Sequence, residues 1–234
     1  MKIRVAELNV EIFNRYPLCE QLCKEYLASF ERADITVSVD EAEIVREVEN
    51  AKEPVTEAEA EFACIYRNIA KKLPDFDAFV FHAAVLTHNG AAYAFSAPSG
   101  TGKSTHVRLW QQEFGCAVQI LNGDKPILRF LDGTLYAFGT PWCGKEHQSR
   151  NTNAPLAALS FLERAEHNQL SRISDEEAVR RLYHQILMPG EDEKNLYFLD
   201  LLDRMLQTVP VYLLKCNMLP EAAHVALAGM HKES

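Results

Sequence analysis

Hydrophobic and polar positions follow two different periods along the first eighty residues. A two-residue alternation over IRVAELNVEIF and over DITVSVD predicts one strand in each segment, because successive side chains of a strand point to opposite faces. Helical spacing of apolar residues predicts helices over PLCEQLCKEYLASF, EAEIVREVEN and EAEAEFACIYRNIAKKL. Together these elements predict a small αβ extension that covers residues 1–76.

Beyond residue 76 the pattern changes to short apolar runs joined by turn signals. DAFVFHAAVLTH and AAYAFS flank Asn89-Gly90, and PILRFL and TLYAFG flank Asp132-Gly133; both dipeptides favour tight hairpins. CAVQILNGD predicts a buried strand and KSTHVRLWQQEF a helix. PLAALSFLER fits a strand or a helix, and its short length favours a strand.

The C-terminal part is mainly helical in pattern. SDEEAVRRLYHQIL begins with Ser174 three residues before Glu177, the spacing of a capping box. KNLYFLDLLDRMLQTV and LPEAAHVALAGMHK predict two more helices, with the strand PVYLLKC between them. This order predicts the α/β class, with residues 77–234 as a core that holds a mixed sheet and antiparallel hairpins. The alternative is one continuous domain that includes the extension.

Composition and charge narrow the range of functions. The 234 residues suit one large domain with a small extension, and 47% hydrophobic residues is ordinary for a globular chain. A net charge of -9 argues against nonspecific nucleic-acid binding, which needs a basic surface. No apolar run approaches the roughly 18 residues of a membrane span, and the charged N-terminus does not resemble a signal peptide. We therefore expect neither nucleic acid nor membrane as a partner.

The six cysteines give a weaker indication. Cys19 and Cys23 lie four residues apart on a predicted helix and have the spacing of half a zinc site, but no matching Cys/His pair occurs elsewhere. We interpret them as core cysteines. Reduced thiols without an export signal predict a cytoplasmic protein.

The strongest chemical motif is APSGTGKS, residues 97–104, which follows a predicted strand and opens a predicted helix. Glycines at 100 and 102 let the backbone curl so that its N–H groups face a phosphate, and the helix N-terminus adds positive charge. Lys103 is expected to reach the β- and γ-phosphates and the Ser104 hydroxyl to bind Mg²⁺. Ala97 stands where the motif usually has its first glycine, so we expect a negative φ there. A purely structural glycine-rich turn is the alternative. The predicted nucleotide-binding residues are Ser99, Gly100, Thr101, Gly102, Lys103, Ser104 and Thr105.

Phosphoryl transfer also needs a carboxylate near the phosphates. Asp124 comes at the end of the strand AVQILNGD, where ligands collect in α/β sheets, and we predict it as metal ligand and base. A turn-forming Asp in NGDKP is the alternative. Lys125 follows directly, and it either neutralises phosphate charge or is solvated.

A loop and a histidine complete the set of candidates. Residues 138–151, FGTPWCGKEHQSRN, hold Lys145, His147 and Arg150 as possible phosphate or substrate contacts, and Trp142 either stacks on a ring or fills the core. His82, predicted inside the strand FVFHAAVL, is either a packed histidine or one that ends near the phosphates.

FHAAVLTHNGAAYAFSAPSGTGKSTH followed by AVQILNGD resembles the HPr kinase/phosphorylase and phosphoenolpyruvate carboxykinase superfamily. The likeness covers residues 78–131 by motif and residues 132–216 by element order. It implies a histidine near the γ-phosphate at His82, phosphate and metal contacts at Lys103 and Ser104, and the first acid of a catalytic pair at Asp124. Lys125 replaces the second acid, and the chain lacks both the HPr kinase C-terminal signature and the length of a carboxykinase.

The resemblance implies an ATP- and Mg²⁺-dependent kinase that phosphorylates a hydroxyl. SAPSGTGKSTH, NGDKP and GTPWCGK are similar to small bacterial HPr-kinase-like proteins, and this likeness implies a peptide hydroxyl as acceptor. A protein or a small molecule stays open as acceptor, and the wider superfamily makes a homo-oligomer an option. Two alternatives remain: a non-catalytic nucleotide-binding sensor or scaffold, which Lys125 favours, and a phosphorylase or phosphatase that acts on a phosphoserine.

Overall fold

The computed structural model describes residues 1–190 and 192–231, which form a mixed α/β protein. The helices are α1 (Pro17–Leu22), α2 (Glu41–Asn50), α3 (Glu57–Ala70), α4 (Lys103–Phe114), α5 (Asp175–Leu182), α6 (Asp192–Thr208) and α7 (Glu221–Met230). The strands are β1 (Lys2–Val5), β2 (Leu8–Phe13), β3 (Ile35–Ser38), β4 (Ala78–Val80), β5 (Ala84–His88), β6 (Ala91–Ser96), β7 (Val118–Asn122), β8 (Ile127–Leu131), β9 (Thr134–Phe138), β10 (Asn153–Arg164), β11 (Gln169–Arg172) and β12 (Val211–Cys216).

Within the described residues these strands form a small sheet and a large one. The small sheet has the order β1-β2-β3. The large, nine-stranded sheet follows the path β4-β8-β9-β10-β6-β5-β7, and β12 pairs with both β10 and β11. Its pairs are antiparallel except β10 with β6 and β10 with β12, which are parallel. The structure thus confirms a mixed sheet.

Strand β10 connects the parts of the large sheet. Residues 153–155 pair with β9, residues 156–161 with β6, and residues 159–164 with β12. A strand of twelve residues changes neighbours along its length in this way because the sheet curls around it. The prediction of a strand for PLAALSFLER is confirmed.

Apolar side chains cover both faces of the large sheet. One face packs against α5 and α6 through residues such as Ala178, Phe198 and Met205. The other face packs against α4 and α7, where Trp110 is fully buried. A third cluster joins the small sheet and α3 to β4, β8 and Trp142, so the N-terminal region shares a core with the large sheet.

Both predicted hairpins form, and for the expected reason. The β5–β6 turn has φ of 51° at Asn89 and 82° at Gly90, and the β8–β9 turn has 48° at Asp132 and 81° at Gly133. Asn, Asp and Gly are the residues that adopt positive φ most readily. The Ser174 side chain also accepts a hydrogen bond from the Glu177 amide, as the capping spacing predicted.

Four predicted elements differ from the structure. The helix predicted over residues 174–187 ends at Leu182. The strand predicted over IRVAELNVEIF is two antiparallel strands, β1 and β2, joined by a turn in which Ala6 and Glu7 have positive φ. The helix predicted over residues 17–30 ends at Leu22 and is followed by a single 3-10 turn. The strand predicted to contain His82 is broken there: β4 pairs with β8, whereas β5 pairs with β6 and β7.

Cys19 and Cys23 are fully buried in the N-terminal cluster, as core cysteines should be. Residue 232, the last of the predicted C-terminal helix, lies outside the described residues. Among residues 1–190 and 192–231, no helix has the length and apolar character to cross a bilayer.

Candidate functional site

The Gly-rich loop, residues 97–104, runs from the end of β6 into the start of α4. Gly100 and Gly102 have φ of 78° and 125°, a region that L side chains rarely adopt, so both positions need glycine. Gly102 is also the N-cap of α4 and offers no side-chain cap to the first helical turn. The amides of that turn therefore remain available to an anion, and the helix dipole favours negative charge there. Ala97 is buried and has no positive φ, which confirms the expectation at this position.

Arg164, at the C-terminal end of β10, holds this loop from outside. Its Nε donates to the Thr101 carbonyl at 3.0 Å, and its Nη2 donates to the Gly100 carbonyl. The N–H and C=O of one peptide point in opposite directions, so a bond to the Thr101 carbonyl turns the Gly102 amide away from Arg164. Nothing in the local sequence indicated this contact.

Four side chains from three parts of the chain form a row at the mouth of the loop. Lys103 Nζ lies 3.1 Å from His82 Nε2, and His82 Nε2 lies 3.0 Å from Asp124 Oδ1. The other carboxylate oxygen, Asp124 Oδ2, is 2.6 Å from Lys125 Nζ. Lys103 Nζ also donates to the Ala97 carbonyl at 3.1 Å. The structure thus brings His82, Lys103 and Asp124 together, and it adds Lys125 as a direct partner of the carboxylate.

Neighbouring charges set the ionisation of the row. Burial alone would raise the pKa of Asp124, but the His82 hydrogen bond and the Lys125 charge outweigh it and hold that pKa well below its usual range. Burial lowers the pKa of Lys103, and the charge of Asp124 partly offsets this. Asp124 is therefore a carboxylate at neutral pH.

Hydrogen bonds in the turn after β7 hold the backbone of Asp124 and Lys125 in place. The buried Asn122 side chain accepts from the amides of Asp124 at 2.8 Å and of Lys125 at 2.7 Å. The Asn122 amide group in turn donates to the Thr140 carbonyl at 3.0 Å, and the Thr140 hydroxyl donates to the Lys125 carbonyl at 2.7 Å. The side-chain hydrogen bonds that build this turn therefore come from Asn122 and not from Asp124.

Gln185 orients His82 and was missed by the sequence analysis. Its Oε1 lies 2.8 Å from His82 Nδ1, and its carbonyl accepts from the His82 amide at 2.8 Å. Gln185 Oε1 is an acceptor, so Nδ1 carries a hydrogen in this contact. A second cavity of about 440 Å³ lies behind this pair, lined also by Pro98, Phe161 and Arg181.

The row opens into a cleft of about 980 Å³ between the Gly-rich loop and the N-terminal region. Of the predicted residues, Thr101 and Arg150 do not line it; those that do are His82, Ser99, Gly100, Gly102, Lys103, Ser104, Thr105, Asp124, Lys145 and His147. Among the described residues, four cationic side chains face three carboxylates there: Arg67, Lys103, Lys125 and Lys145 against Glu59, Asp124 and Glu146. Arg67 and Lys145 are paired with Glu47 and Glu53, so the positive charge that an anionic ligand would meet comes from Lys103 and Lys125 beside the loop.

The loop over residues 138–151 forms one wall of the cleft. Trp142 is buried, and its ring stacks on Phe62 at 5.5 Å between centroids and lies 5.6 Å from Tyr66. It therefore fills the core. Lys145 is exposed and pairs with Glu53 at 2.9 Å, while Arg150 is exposed and lies outside the cleft.

The residues present fit a Mg²⁺ ion that arrives with a nucleotide. The Ser104 hydroxyl, in the first turn of α4, makes no hydrogen bond to any described residue, and Ser104 and Asp124 line the same cleft. No group of three His, Cys, Asp or Glu side chains in the described ranges is placed to hold a metal alone. Mg²⁺ commonly needs only one or two protein oxygens, because phosphates and water supply the rest.

Comparisons with known proteins add little to this geometry. No protein-family model matches the chain, and no curated protein matches it. Among solved structures, an HPr(Ser) kinase/phosphatase from Coxiella burnetii is a neighbour with a TM-score of 0.38 and 12% sequence identity, over 65% of this chain and 97% of that one. A likeness of this size assigns neither activity nor site residues.

Proposed function

We propose that this protein is an ATP- and Mg²⁺-dependent phosphotransferase of the HPr kinase type, which moves the γ-phosphate to a hydroxyl of a peptide, a protein or a small molecule. One observation carries the proposal: Lys103, His82 and Asp124 meet within hydrogen-bond distance at the open end of a glycine-rich loop that leads into a helix. A phosphate cradle and an ionised carboxylate side by side are the parts that phosphoryl transfer needs.

Each part has a role in the proposed reaction. The amides of the Gly-rich loop and Lys103 hold the β- and γ-phosphates, and Asp124 orients the acceptor hydroxyl. The bond between the γ-phosphorus and the β–γ bridging oxygen breaks, a bond from phosphorus to the acceptor oxygen forms, and the hydroxyl proton passes to Asp124. ADP leaves with the bridging oxygen. His82 positions the carboxylate and is itself held by Gln185.

Ser104 and Asp124 are the residues that would hold Mg²⁺. When bound, the ion supplies positive charge to the phosphate oxygens. The cationic side chains of the cleft act in the same direction, since they attract the anionic nucleotide to a protein that is otherwise acidic.

A specific contact favours a second candidate, a nucleotide-binding protein without turnover. Lys125 Nζ occupies Asp124 Oδ2 at 2.6 Å, and His82 faces Oδ1, so both carboxylate oxygens have partners. If Lys125 stays there when nucleotide binds, Asp124 is not free to receive a hydroxyl.

ATP turnover with Mg²⁺ separates the two candidates. We expect wild type and Asp124→Asn to bind ATP alike, and Asp124→Asn to lose at least about a hundredfold in turnover, because the general base is gone. Turnover is measured with serine- and threonine-containing peptides and with small alcohols as acceptors. Asp132→Asn, at an exposed hairpin position that suits Asn, is the matched control.

Unchanged turnover in Asp124→Asn would rule out the base assignment. ATP binding without turnover in wild type, with every acceptor, would favour the binding protein. Release of phosphate from a phosphoserine peptide is measured in the same samples, because it would indicate a phosphatase instead.

A further inference from the structure

Lys125 is the charged group of the site that the reaction just described does not use. Its ammonium group contacts Asp124 Oδ2 at 2.6 Å and lies 5.5 Å from the centre of the Tyr66 ring. About a third of the side chain is exposed, and it lines the same cleft as Lys103. An ammonium has three donors, so one contact with Asp124 leaves others available to a ligand in the cleft.

Two hydrogen bonds hold the backbone of Lys125, whereas one ion pair holds its side chain. The amide donates to Asn122 Oδ1 at 2.7 Å, and the carbonyl accepts from the Thr140 hydroxyl at 2.7 Å. The side chain reaches into the cleft on four rotatable carbons, and its one hydrogen-bonding partner among the described residues is Asp124. Any movement of the charge is therefore a rotation of the side chain about a held backbone.

A terminal phosphate beside Asp124 brings two anions together, and a cation in addition to Mg²⁺ would reduce their repulsion further. Under the proposed function the Gly-rich loop and Lys103 hold the β- and γ-phosphates, and Lys103 Nζ and Asp124 Oδ1 contact the same atom, His82 Nε2. A γ-phosphate held there would lie near the Asp124 carboxylate and repel it. Lys125 contacts the carboxylate and lines the same cleft, so a rotation of its side chain can carry its charge from Asp124 to the phosphate.

We propose that Lys125 is a specificity-determining residue that recognises the γ-phosphate, so that the site prefers a nucleoside triphosphate over a diphosphate. On this proposal Lys125 turns from Asp124 towards the γ-phosphate when the triphosphate binds. Asp124 Oδ2 is then released to receive the acceptor hydroxyl. The lysine that contacts the carboxylate in this structure thus leaves it only when a transferable phosphate is present. The proposal rests on the proposed function.

The test is the ratio of two affinities, measured by calorimetry for ADP and for a non-hydrolysable ATP analogue, both with Mg²⁺. Lys125→Gln is expected to weaken the triphosphate analogue about tenfold and to leave ADP within about twofold, because only the γ-phosphate loses a partner. Lys125→Arg keeps the charge and is expected to keep the preference. Lys215→Gln, an exposed lysine on β12, is the matched control.

Other outcomes overturn the proposal in distinguishable ways. An equal loss for both nucleotides would make Lys125 a general contributor to the charge of the cleft, and no loss for either would remove it from the site. If wild type bound neither nucleotide, the proposed function and this inference would both fail. Circular dichroism of each variant shows whether it is folded, and a Lys125→Arg variant without the preference would also contradict the proposal.

Discussion

At the scale of single residues, burial fixes the ionisation of His106, one turn below the Gly-rich loop. Its Nε2 accepts a hydrogen bond from Trp110 Nε1 at 3.0 Å, and burial lowers its pKa from 6.5 to about 4. Its Nδ1 and the Ser160 hydroxyl are buried without a partner among the described residues. A neutral ring is compatible with this site, and a charged ring is not.

This burial predicts a pH dependence of folding. Because the folded pKa lies below the unfolded value of 6.5, the contribution of His106 is fully present above that value and is lost as pH falls towards about 4. We expect roughly 2 kcal/mol of the wild-type unfolding free energy to disappear between about pH 7.5 and about pH 5 for this reason. Urea unfolding at the two pH values measures it.

His106→Gln removes the titrating ring and keeps an acceptor for Trp110. Its loss of stability between the two pH values should be smaller than that of wild type by about the same amount. His167→Gln, at an exposed position, is the control and should keep the wild-type slope. Equal slopes in wild type and His106→Gln would show that the pKa of His106 is the same in the folded and unfolded states.

At the scale of elements, the Gly-rich loop depends on a strand that is remote in sequence. Arg164 joins the end of β10 to two carbonyls of the loop, and a guanidinium fork suits two adjacent acceptors. The shape of the loop is thus set by its glycines from within and by β10 from outside.

Arg164→Gln is expected to weaken nucleotide binding about tenfold, because the loop carbonyls lose a charged donor and the amides lose their preset direction. The affinity of Arg164→Lys should lie between those of wild type and Arg164→Gln, because an ammonium keeps the charge but does not present two parallel donors. Titration calorimetry with ATP measures the affinities. Arg180→Gln, an exposed arginine of α5 paired with Glu176, is the control. If Arg164→Gln bound ATP with wild-type affinity, the contact between Arg164 and the loop carbonyls would have no part in nucleotide binding.

Elements with local signals were predictable from the sequence, and elements without them were not. The dipeptide Asn89-Gly90 predicts a hairpin. Ala6 and Glu7 form a turn between two strands although residues of these types rarely adopt positive φ, so the alternation across them resembled a single strand. The sequence also gives no signal for the break between β4 and β5 at His82, because the flanking residues Phe81 and Ala83 are as buried as the strands on either side.

The same distinction holds for the candidate site. Lys103 and Asp124 belong to motifs that are contiguous in sequence, and the structure places both at the mouth of the loop. Gln185 and Arg164 lie 103 and 64 residues from the groups they contact, and no local pattern marks them. Contacts of that span exist only once the curled sheet has formed.

At the scale of the whole molecule, the small sheet is packed into the core. The cluster around Ile3, Ile65 and Leu73 continues into Ile127 and Trp142 of the large-sheet region without a polar boundary. Whether residues 1–76 form a separate unit stays a prediction, and this shared cluster argues for the single continuous domain.

We therefore expect one cooperative thermal transition. The calorimetric enthalpy should equal the van't Hoff enthalpy, because two regions that share a core unfold together. Two resolved transitions, or a calorimetric enthalpy well above the van't Hoff value, would support a boundary near residue 76. Wild type under reducing conditions is sufficient for the measurement, since the six cysteines are free.

Trp142 gives the protein a built-in optical probe. It is one of two tryptophans in the chain, and its indole touches Tyr66, the ring that Lys125 covers. A charge that leaves that aromatic face alters the surroundings of the indole and therefore its emission. Filling of the cleft can thus be followed by intrinsic fluorescence, with no dye attached and no turnover required.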